Sequence, residues 1–352
     1  MTLWSVSAMC RLAMVYCMLT GSVSEERIQK FKEDPDAYRE FRKIIEDDGN
    51  FVHRSTARGS EMQTMFVDEF RRITTERLVK KPELAASFLP DFGIGCRRLT
   101  PGPGFLEALV QDNVDFITTG IKAIDEKGLV LVDGRRVEVD ALICATGFHT
   151  NHVPPFPVTG IKGKTLAERF TPIPETYLTM TVDGFPNFFL MLGPNAGIGA
   201  GSLTVVLEGQ ADYIIKCIRK LQKEDYVSMA PKSERVRDFS DYVGEYFKKT
   251  VYTDKCKSWY KAGGGESEKE RISALYPGSL LHALEVWRAP RWEDFDFSSN
   301  EKNRLRWLGN GWSSTLLDGG DPSWYLNANE VDLPPKATPE LDPKYAAHAF
   351  SH

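Results

Sequence analysis

The residues Asp140-Ala-Leu-Ile-Cys-Ala-Thr-Gly-Phe148 are the part of the sequence that most strongly indicates the fold. Val137 and Val139 alternate with Glu138 and Asp140, and residues 141–144 are wholly apolar. This pattern predicts a strand over residues 137–144 that enters the core. Small residues at the end of a buried strand allow another backbone or a flat cofactor to come close. The small residues here are Ala145, Thr146 and Gly147.

Downstream, the glycine-rich segment Gly193-Pro-Asn-Ala-Gly-Ile-Gly-Ala-Gly201 joins two patterned runs. The apolar residues 186–193 predict a strand, and residues 202–223 predict an amphipathic helix. Amides at the start of a helix attract negative charge, so the segment is a candidate anion-binding loop. A tight turn without a ligand is the alternative, and the glycine spacing is not G-x-G-x-x-G.

Upstream, Arg97 and Arg98 precede a loop of proline and glycine. Arginine is always charged and offers several donors in one plane, which suits the binding of an anion. A solvated surface pair is the alternative. Trp259 and Tyr260 form an aromatic pair after Cys256, and core packing is the alternative for that pair.

Periodicity and turn residues predict the remaining elements. Residues 24–92 read as packed helices and residues 233–250 as a further helix. Two more strands are expected, and a hairpin turn follows each of them. The end of the chain is rich in Gly, Pro, Asp and Asn. The strands are 116–121 and 128–132, the turns are 125–128 and 133–134, and the tail over 299–352 is expected to be partly extended or disordered.

Length and charge limit the class of protein. The 352 residues can form one large domain or two ordinary ones, and 42% hydrophobic and 26% charged residues are ordinary for a soluble globular protein. The net charge of −5 is spread along the chain without a basic block. Nucleic acid is therefore not an expected partner.

The cysteines and the N-terminus bear on the compartment. None of the six cysteines forms a C-x-x-C pair, and Cys144 and Cys217 lie in apolar surroundings typical of free buried thiols, which favours a reducing, cytoplasmic setting. Residues 1–23 form an apolar leader that Arg11 interrupts, so a membrane span is not supported. The leader is interpreted as non-native sequence on a truncated reading frame, with a signal segment or anchor as the alternative.

Metal chemistry is not expected. His149 and His152 lie near Cys144 in the sequence, but no fourth ligand has usable spacing. The sequence therefore predicts no zinc site.

Three of these features occur together in a known family. Gly95-Cys-Arg-Arg98, the stretch 140–148 and Leu192-Gly-Pro-Asn195 resemble the C-terminal half of the flavin-containing monooxygenases, in particular the Baeyer–Villiger type of fungal secondary metabolism. The resemblance covers roughly residues 22–296 and implies an α/β fold, the C-terminal part of a flavoprotein with two dinucleotide-binding domains. Residues 24–92 would be a helical segment, 93–147 the remnant of the NADPH-binding domain, and 148–298 the C-terminal half of the FAD-binding domain.

The resemblance also implies roles for single residues. Arg98 matches the basic residue that stabilises negative charge at the flavin, and Arg97 stands where a lysine usually contacts NADPH. Trp259 matches a tryptophan that helps hold the nicotinamide nucleotide. The remaining expected cofactor-binding residues face the flavin in the family: Ala145, Thr146, Gly147, Gly193, Pro194 and Asn195.

No G-x-G-x-x-G motif occurs in the chain, although full members of the family carry two. Three functions therefore stay open. The first is an FAD- and NADPH-dependent monooxygenase that converts a small ketone into an ester or lactone. The second is a truncated, redox-dead homologue acting as a non-redox catalyst or accessory subunit. The third is a truncated product that self-associates or needs a partner chain to cover its exposed sheet.

Overall fold

The structure is a computed structural model that describes residues 23–98, 104–150, 152–262 and 271–326. Val23 apart, the predicted leader lies outside these ranges, as do residues 327–352 of the predicted tail. The chain divides into two compact units, one ending at Asn300 and the other beginning at Glu301.

The first unit begins with four helices, as predicted for residues 24–92. Side chains cap the first three, because Ser24, Asp34 and Ser60 each accept a hydrogen bond from a first-turn amide. Pro35 occupies the first position of the second helix, where a missing N–H costs nothing. The helices are α1 (Glu25–Glu33), α2 (Pro35–Phe51), α3 (Glu61–Arg77) and α4 (Ala85–Phe88).

A small antiparallel sheet follows a short helix, α5 (Phe105–Leu109). Its strand order is β1-β2-β3, and the predicted hairpin turns join neighbouring strands. Gly128 in the first turn has φ of +139°, and a Cβ there would lie 2.2 Å from the Val137 carbonyl oxygen, so only glycine fits. The strands are β1 (Ile121–Asp125), β2 (Gly128–Leu131) and β3 (Arg136–Glu138).

The strand predicted over residues 137–144 is wrong beyond Glu138. Residues 139–150 have no regular secondary structure, and within the described chain no backbone hydrogen bond engages residues 140–150. Ile143 is 90% exposed and Phe148 is 95% exposed. We call residues 140–148 the apolar segment. A strand needs a neighbour for its backbone groups and a face to pack against, and here neither is present. The strand predicted at 116–121 is likewise displaced, because β1 begins at Ile121.

The remainder of the first unit combines long helices with short strand pairs. The helices predicted at 202–223 and 233–250 are confirmed as α7 (Leu203–Lys223) and α8 (Ser233–Phe247). The strand predicted at 186–193 is wrong: Asn187 and Leu192 take left-handed φ values of 60° and 53°, which interrupt an extended backbone, and Phe189 makes only an isolated bridge with Thr181. The elements are α6 (Leu166–Arg169), α7 (Leu203–Lys223), β4 (Ser228–Pro231), α8 (Ser233–Phe247), β5 (Lys261–Ala262), β6 (Arg271–Ile272), α9 (Leu280–Trp287) and β7 (Phe295–Ser298).

Two apolar clusters form most of the core of this unit. In the larger one, Tyr213 of α7 and Trp287 of α9 are almost fully buried beside Met180. The smaller one joins Phe247 of α8 to Tyr252 and Tyr260. It holds the segment after α8 against the body of the unit, and this segment forms one wall of the site described below.

The cysteines differ from expectation in two respects. Cys96 and Cys256 form a disulfide between residues 160 positions apart, although nothing in their spacing predicts the pair. Cys217 is free and buried as expected, but Cys144 is free and exposed because the strand expected around it does not form.

The second unit, as far as it is described, consists of short helical turns in the region expected to be extended. They are Arg306–Leu308, α10 (Ser314–Leu317) and Trp324–Leu326. In the part of the chain that the structure describes, no helix has both the length and the apolar character needed to cross a bilayer.

Candidate functional site

A cavity of about 190 Å³ lies in the first unit, where several separate parts of the chain meet, among them Phe66 of α3. Its walls come from the end of α2 with the turn after it, from the loop around Arg97 and Arg98, from the glycines before α7, and from Tyr252 and Tyr260. The sequence singled out the arginines and the glycine loop independently, and the structure brings them to the same cavity.

The arginine loop, residues 93–98, is anchored through its backbone. The Gly93 amide donates to Asp254 Oδ2 at 2.8 Å, Gln63 Nε2 donates to the Ile94 carbonyl at 3.2 Å, and Cys96 is disulfide-bonded. Arg97 and Arg98 are the last two residues of this loop, and both are exposed and line the cavity. Neither makes an ion pair with a carboxylate of the described residues, so both positive charges are available to a ligand.

The glycine loop places the start of α7 at the opposite wall. Gly199 and Gly201 line the cavity, and Ser202, the cap residue of this 21-residue helix, makes no side-chain hydrogen bond to the first turn. The first amides of a helix and its dipole attract negative charge. Asn50 Oδ1 is buried beside Gly201 and has no hydrogen-bond partner among the described residues. Two arginines therefore line the same cavity as the glycine loop that leads into α7, an arrangement that favours an anion.

Tyr252 and Tyr260 form the third wall. Both are nearly fully buried, and their rings meet edge to face with centroids 5.8 Å apart. Burial raises the pKa of both phenols, and the Arg98 charge opposes the rise for Tyr260. Both phenols stay neutral near pH 7, where each can donate a hydrogen bond.

Asn195, predicted to lie beside a cofactor, is held by hydrogen bonds to the backbone around β6. It is buried, and its amide nitrogen donates to the carbonyls of Ile272 and Leu275 at 2.8 and 3.0 Å. Its backbone N–H donates to Ser273 at 2.6 Å. Asn195, Gly193 and Pro194 are buried and do not line the cavity. They fix the glycine loop to the segment that contains β6.

Four other predicted residues also lie away from the cavity walls. Ala145, Thr146 and Gly147 belong to the exposed apolar segment, so the structure does not bring them to the cavity. Trp259 is half exposed and does not line the cavity, but its ring centroid lies 4.8 Å from that of Tyr260, which does.

Residues that the sequence did not single out complete the site. Tyr252, Asn50 and Asp254 lie in segments with no distinctive pattern, and only the folded chain brings them together. For Asp254, the one feature of the sequence that could have drawn attention to it is its position two residues before Cys256.

The histidines considered for metal binding do not form a cluster of ligands within the described residues. His152 Nε2 is buried without a partner there, and burial lowers the pKa of this side chain.

The fold places the chain in a defined class. Its structure is similar to cyclohexanone monooxygenase in a closed crystal structure (TM-score 0.63, 21% identity, 79% of this chain and 59% of that one). It is similar also to an oxidized steroid monooxygenase bound to NADP (TM-score 0.60, 23% identity, 79% and 52%). The fold is therefore the α/β architecture of the two-dinucleotide-domain flavoproteins, present in part.

Sequence comparison narrows the class. The chain is 38% identical over 314 residues to the FAD-binding monooxygenase moxY of Dothistroma septosporum, covering 88% of this chain and 49% of that protein. It is 36% identical over 304 residues to the FAD-binding monooxygenase tazF of Aspergillus terreus, covering 86% and 54%. A Baeyer–Villiger monooxygenase of Streptomyces coelicolor is 33% identical over 217 residues, covering 61% and 41%. No protein-family model matches the chain.

The chain is similar to FAD-binding monooxygenases and to a Baeyer–Villiger monooxygenase, and its partial coverage of these proteins fits their C-terminal half. It spans about half the length of the curated relatives that it matches.

Proposed function

We propose that the chain provides the C-terminal half of an FAD- and NADPH-dependent Baeyer–Villiger monooxygenase, which converts a ketone into an ester or lactone in secondary metabolism. The observation that carries the proposal is the cavity where Arg97, Arg98 and the glycine loop before α7 meet. The names of the fungal relatives support the cofactor and the reaction class. Bound FAD would supply the redox and oxygen-transfer chemistry, with NADPH as reductant.

The residues present fit one end of this cofactor. Arg98 offers charge and hydrogen-bond donors to a flat ring that gains negative charge on reduction, and the unpaired Asn50 Oδ1 is an acceptor for a ring N–H. Gly199 and Gly201 carry no side chain because Tyr252 and Leu280 pack against their backbone, which fixes the position of this wall. The G-x-G-x-x-G loop that would hold the pyrophosphate is absent from the sequence, so the chain alone binds the ring end and not the whole dinucleotide.

Within this proposal each wall has a task. Arg98 stabilises the negative charge that forms at the reacting atoms, as a fixed donor that needs no reorganisation. The neutral phenols of Tyr252 and Tyr260 donate hydrogen bonds from the apolar wall and help to exclude water. Arg97 and Trp259, which is half exposed, would contact NADPH, because a charge and an aromatic ring suit a nicotinamide nucleotide.

A second proposal follows from the apolar segment. Its backbone groups lack partners within the described chain, and Ile143 and Phe148 are almost fully exposed. We infer that another polypeptide, or a second copy of the chain, covers it, because such surface is unfavourable in water. A cytoplasmic location is part of the proposal: the free thiols of Cys144 and Cys217 fit it, whereas the Cys96–Cys256 disulfide is of the kind that persists in oxidising compartments.

FAD titration of the purified chain, followed by calorimetry and by the flavin absorption bands, tests the function. We expect micromolar or weaker binding to the chain alone, with affinity and ketone oxidation rising when the complementary half of a fungal relative is added. Arg98→Ala should weaken binding, whereas Arg39→Ala, which removes an exposed arginine of α2, should not. Absence of any FAD binding or oxidation with the complementary half present would refute the proposal.

A further inference from the structure

The arginine loop is attached to the segment after α8 by one carboxylate and one covalent bond. Asp254 accepts from the Gly93 amide and pairs with Arg58 at 2.7 Å, and Cys96 is bonded to Cys256. The same segment supplies Tyr252 and Tyr260 to the cavity. The two walls are therefore fixed to each other at positions next to the residues that would contact a ligand.

The contacts of the loop are unevenly distributed. The bonds from Asp254 and Gln63 reach Gly93 and Ile94, which are three or more residues away from Arg97. Gly93 also packs so closely on Val251 that a Cβ would lie 2.5 Å from its Cγ1. At the arginine end, the Cys96 amide bonds only within the loop, to the Gly93 carbonyl at 3.0 Å. Cys96 Sγ lies 3.8 and 3.6 Å from the carbonyl oxygens of Tyr252 and Asp254, and the disulfide is the covalent link between that end of the loop and the opposite wall.

We propose that the Cys96–Cys256 disulfide positions Arg97 and Arg98 at the cavity, so that its reduction frees the arginines and weakens the binding of an anionic cofactor. The part that concerns the cofactor rests on the proposed function, but the control of the loop by the disulfide does not. The arginines stay charged in both states. What changes is how narrowly their backbone is held, and binding then costs additional conformational entropy.

The redox step is a thiol–disulfide exchange. A small dithiol transfers two electrons and two protons, so that the S–S bond of Cys96 and Cys256 is replaced by two thiols and the dithiol becomes a disulfide. Both sulfur atoms belong to almost fully buried residues, so the reagent reaches them only when the loop opens. The exchange is therefore expected to be slow, and it reports on opening of the arginine loop.

The first test does not depend on a cofactor. Hydrogen–deuterium exchange by mass spectrometry compares the amides of residues 93–98 in the oxidised chain, the dithiothreitol-reduced chain and the Cys96→Ser/Cys256→Ser variant. Cys144→Ser is the matched control, because it removes an exposed free thiol and no bond. We expect faster exchange in this segment for the reduced chain and the double variant only. Unchanged exchange in a reduced chain that keeps its circular dichroism spectrum would overturn the proposal.

The second test asks whether the disulfide acts through the arginines. FAD affinity is measured for the oxidised and reduced forms of the wild type and of Arg97→Ala/Arg98→Ala, each with the complementary half of a fungal relative. We expect reduction to weaken binding about ten-fold in the wild type and not at all in the arginine variant. Equal weakening in both proteins would show a general structural role and contradict the proposal.

The two tests separate failure of the inference from failure of the proposed function. If the oxidised protein binds no FAD, the proposed function fails, and the exchange of residues 93–98 still decides whether the disulfide controls the loop. If the double variant does not fold, the reduced wild type gives the same comparison. Reoxidation should restore slow exchange, which a chain unfolded irreversibly by reduction would not show.

Discussion

Gly199 and Tyr252 show how closely the walls of the cavity fit at the scale of single residues. A Cβ added at Gly199 would lie 1.6 Å from the Tyr252 hydroxyl oxygen, so no side chain can be added unless the tyrosine moves. Tyr252 is nearly fully buried beside Phe247 and Tyr260, which leaves its ring little freedom. This contact holds the glycine loop at the distance from the tyrosines that keeps the cavity open.

Gly199→Ala should therefore destabilise the fold by about 1–3 kcal/mol through overpacking. Gly49→Ala is the control, because it also lies at the cavity but within α2, and its nearest neighbour would be 3.8 Å from the new Cβ. There alanine should stabilise the helix by up to about 1 kcal/mol. Urea unfolding followed by circular dichroism measures both changes. Similar stability of the two variants would show that the Tyr252 ring moves freely.

Arg98→Ala has a different expected effect, on chemistry rather than on folding. Its guanidinium makes no ion pair with the described residues, so its loss leaves no buried charge behind. In an active complex, flavin reduction by NADPH should stay nearly intact, while ester or lactone formation falls about a hundred- to a thousand-fold and hydrogen peroxide is released. Product analysis and a peroxide assay measure the two outcomes. Ester formation near the wild-type rate would exclude the assigned role.

At the scale of elements, three helical segments meet around two histidines. His53, in the turn after α2, lies 3.3 Å from the Tyr246 hydroxyl of α8, and His282 of α9 lies 3.0 Å from the Tyr276 hydroxyl. Burial and the nearby His282 lower the pKa of His53. The contact between His53 and Tyr246 joins the N-terminal helices, which line the cavity, to the C-terminal body of the unit.

Protonation of His53 should therefore oppose folding. As the pH falls below about 6.5, the unfolded chain takes up the proton first, so stability decreases until the pH reaches the lower pKa of the folded state. His53→Gln should reduce the loss of stability between about pH 7.5 and about pH 5.5, measured by urea unfolding. His149→Gln, which changes a residue of the exposed segment 139–150, is the control. Equal loss in the wild type and in His53→Gln would assign the pH dependence to other groups.

The elements also show what the sequence can predict. Helices α2, α3, α7 and α8 were predictable because their apolar periodicity is local. The strands expected at 137–144 and 186–193 were not, because an apolar run becomes a strand only when a partner backbone pairs with it. In the site, Arg97, Arg98 and the glycine loop were predictable from local chemistry. Tyr252 and the disulfide were not, since the contacts of each bridge long stretches of chain.

At the scale of the whole molecule, the apolar segment is a part of the first unit whose exposure to water is unfavourable. It exposes Leu142, Ile143 and Phe148 together, within a backbone that lacks hydrogen-bond partners in the described chain. Isolated exposed apolar residues are ordinary, but a contiguous group favours association.

The isolated chain should therefore self-associate and bind an apolar dye. Ile143→Glu/Phe148→Glu should reduce both effects, because two charges then separate the remaining apolar residues. Val79→Glu, a change at a 73% exposed valine elsewhere, should have little effect. Light scattering and dye fluorescence measure the outcomes. A wild-type chain that stays monomeric at high concentration without binding the dye would contradict this expectation.

The position of the disulfide gives the apolar segment a further consequence. Residues 139–150 are exposed and without regular structure, which makes them a preferred site for a protease. Because Cys96 and Cys256 lie on opposite sides of that segment, a cut there would leave both fragments covalently joined. The nicked protein would run as one species on a non-reducing gel and as two after reduction. The walls of the cavity would remain together in a chain that is no longer continuous.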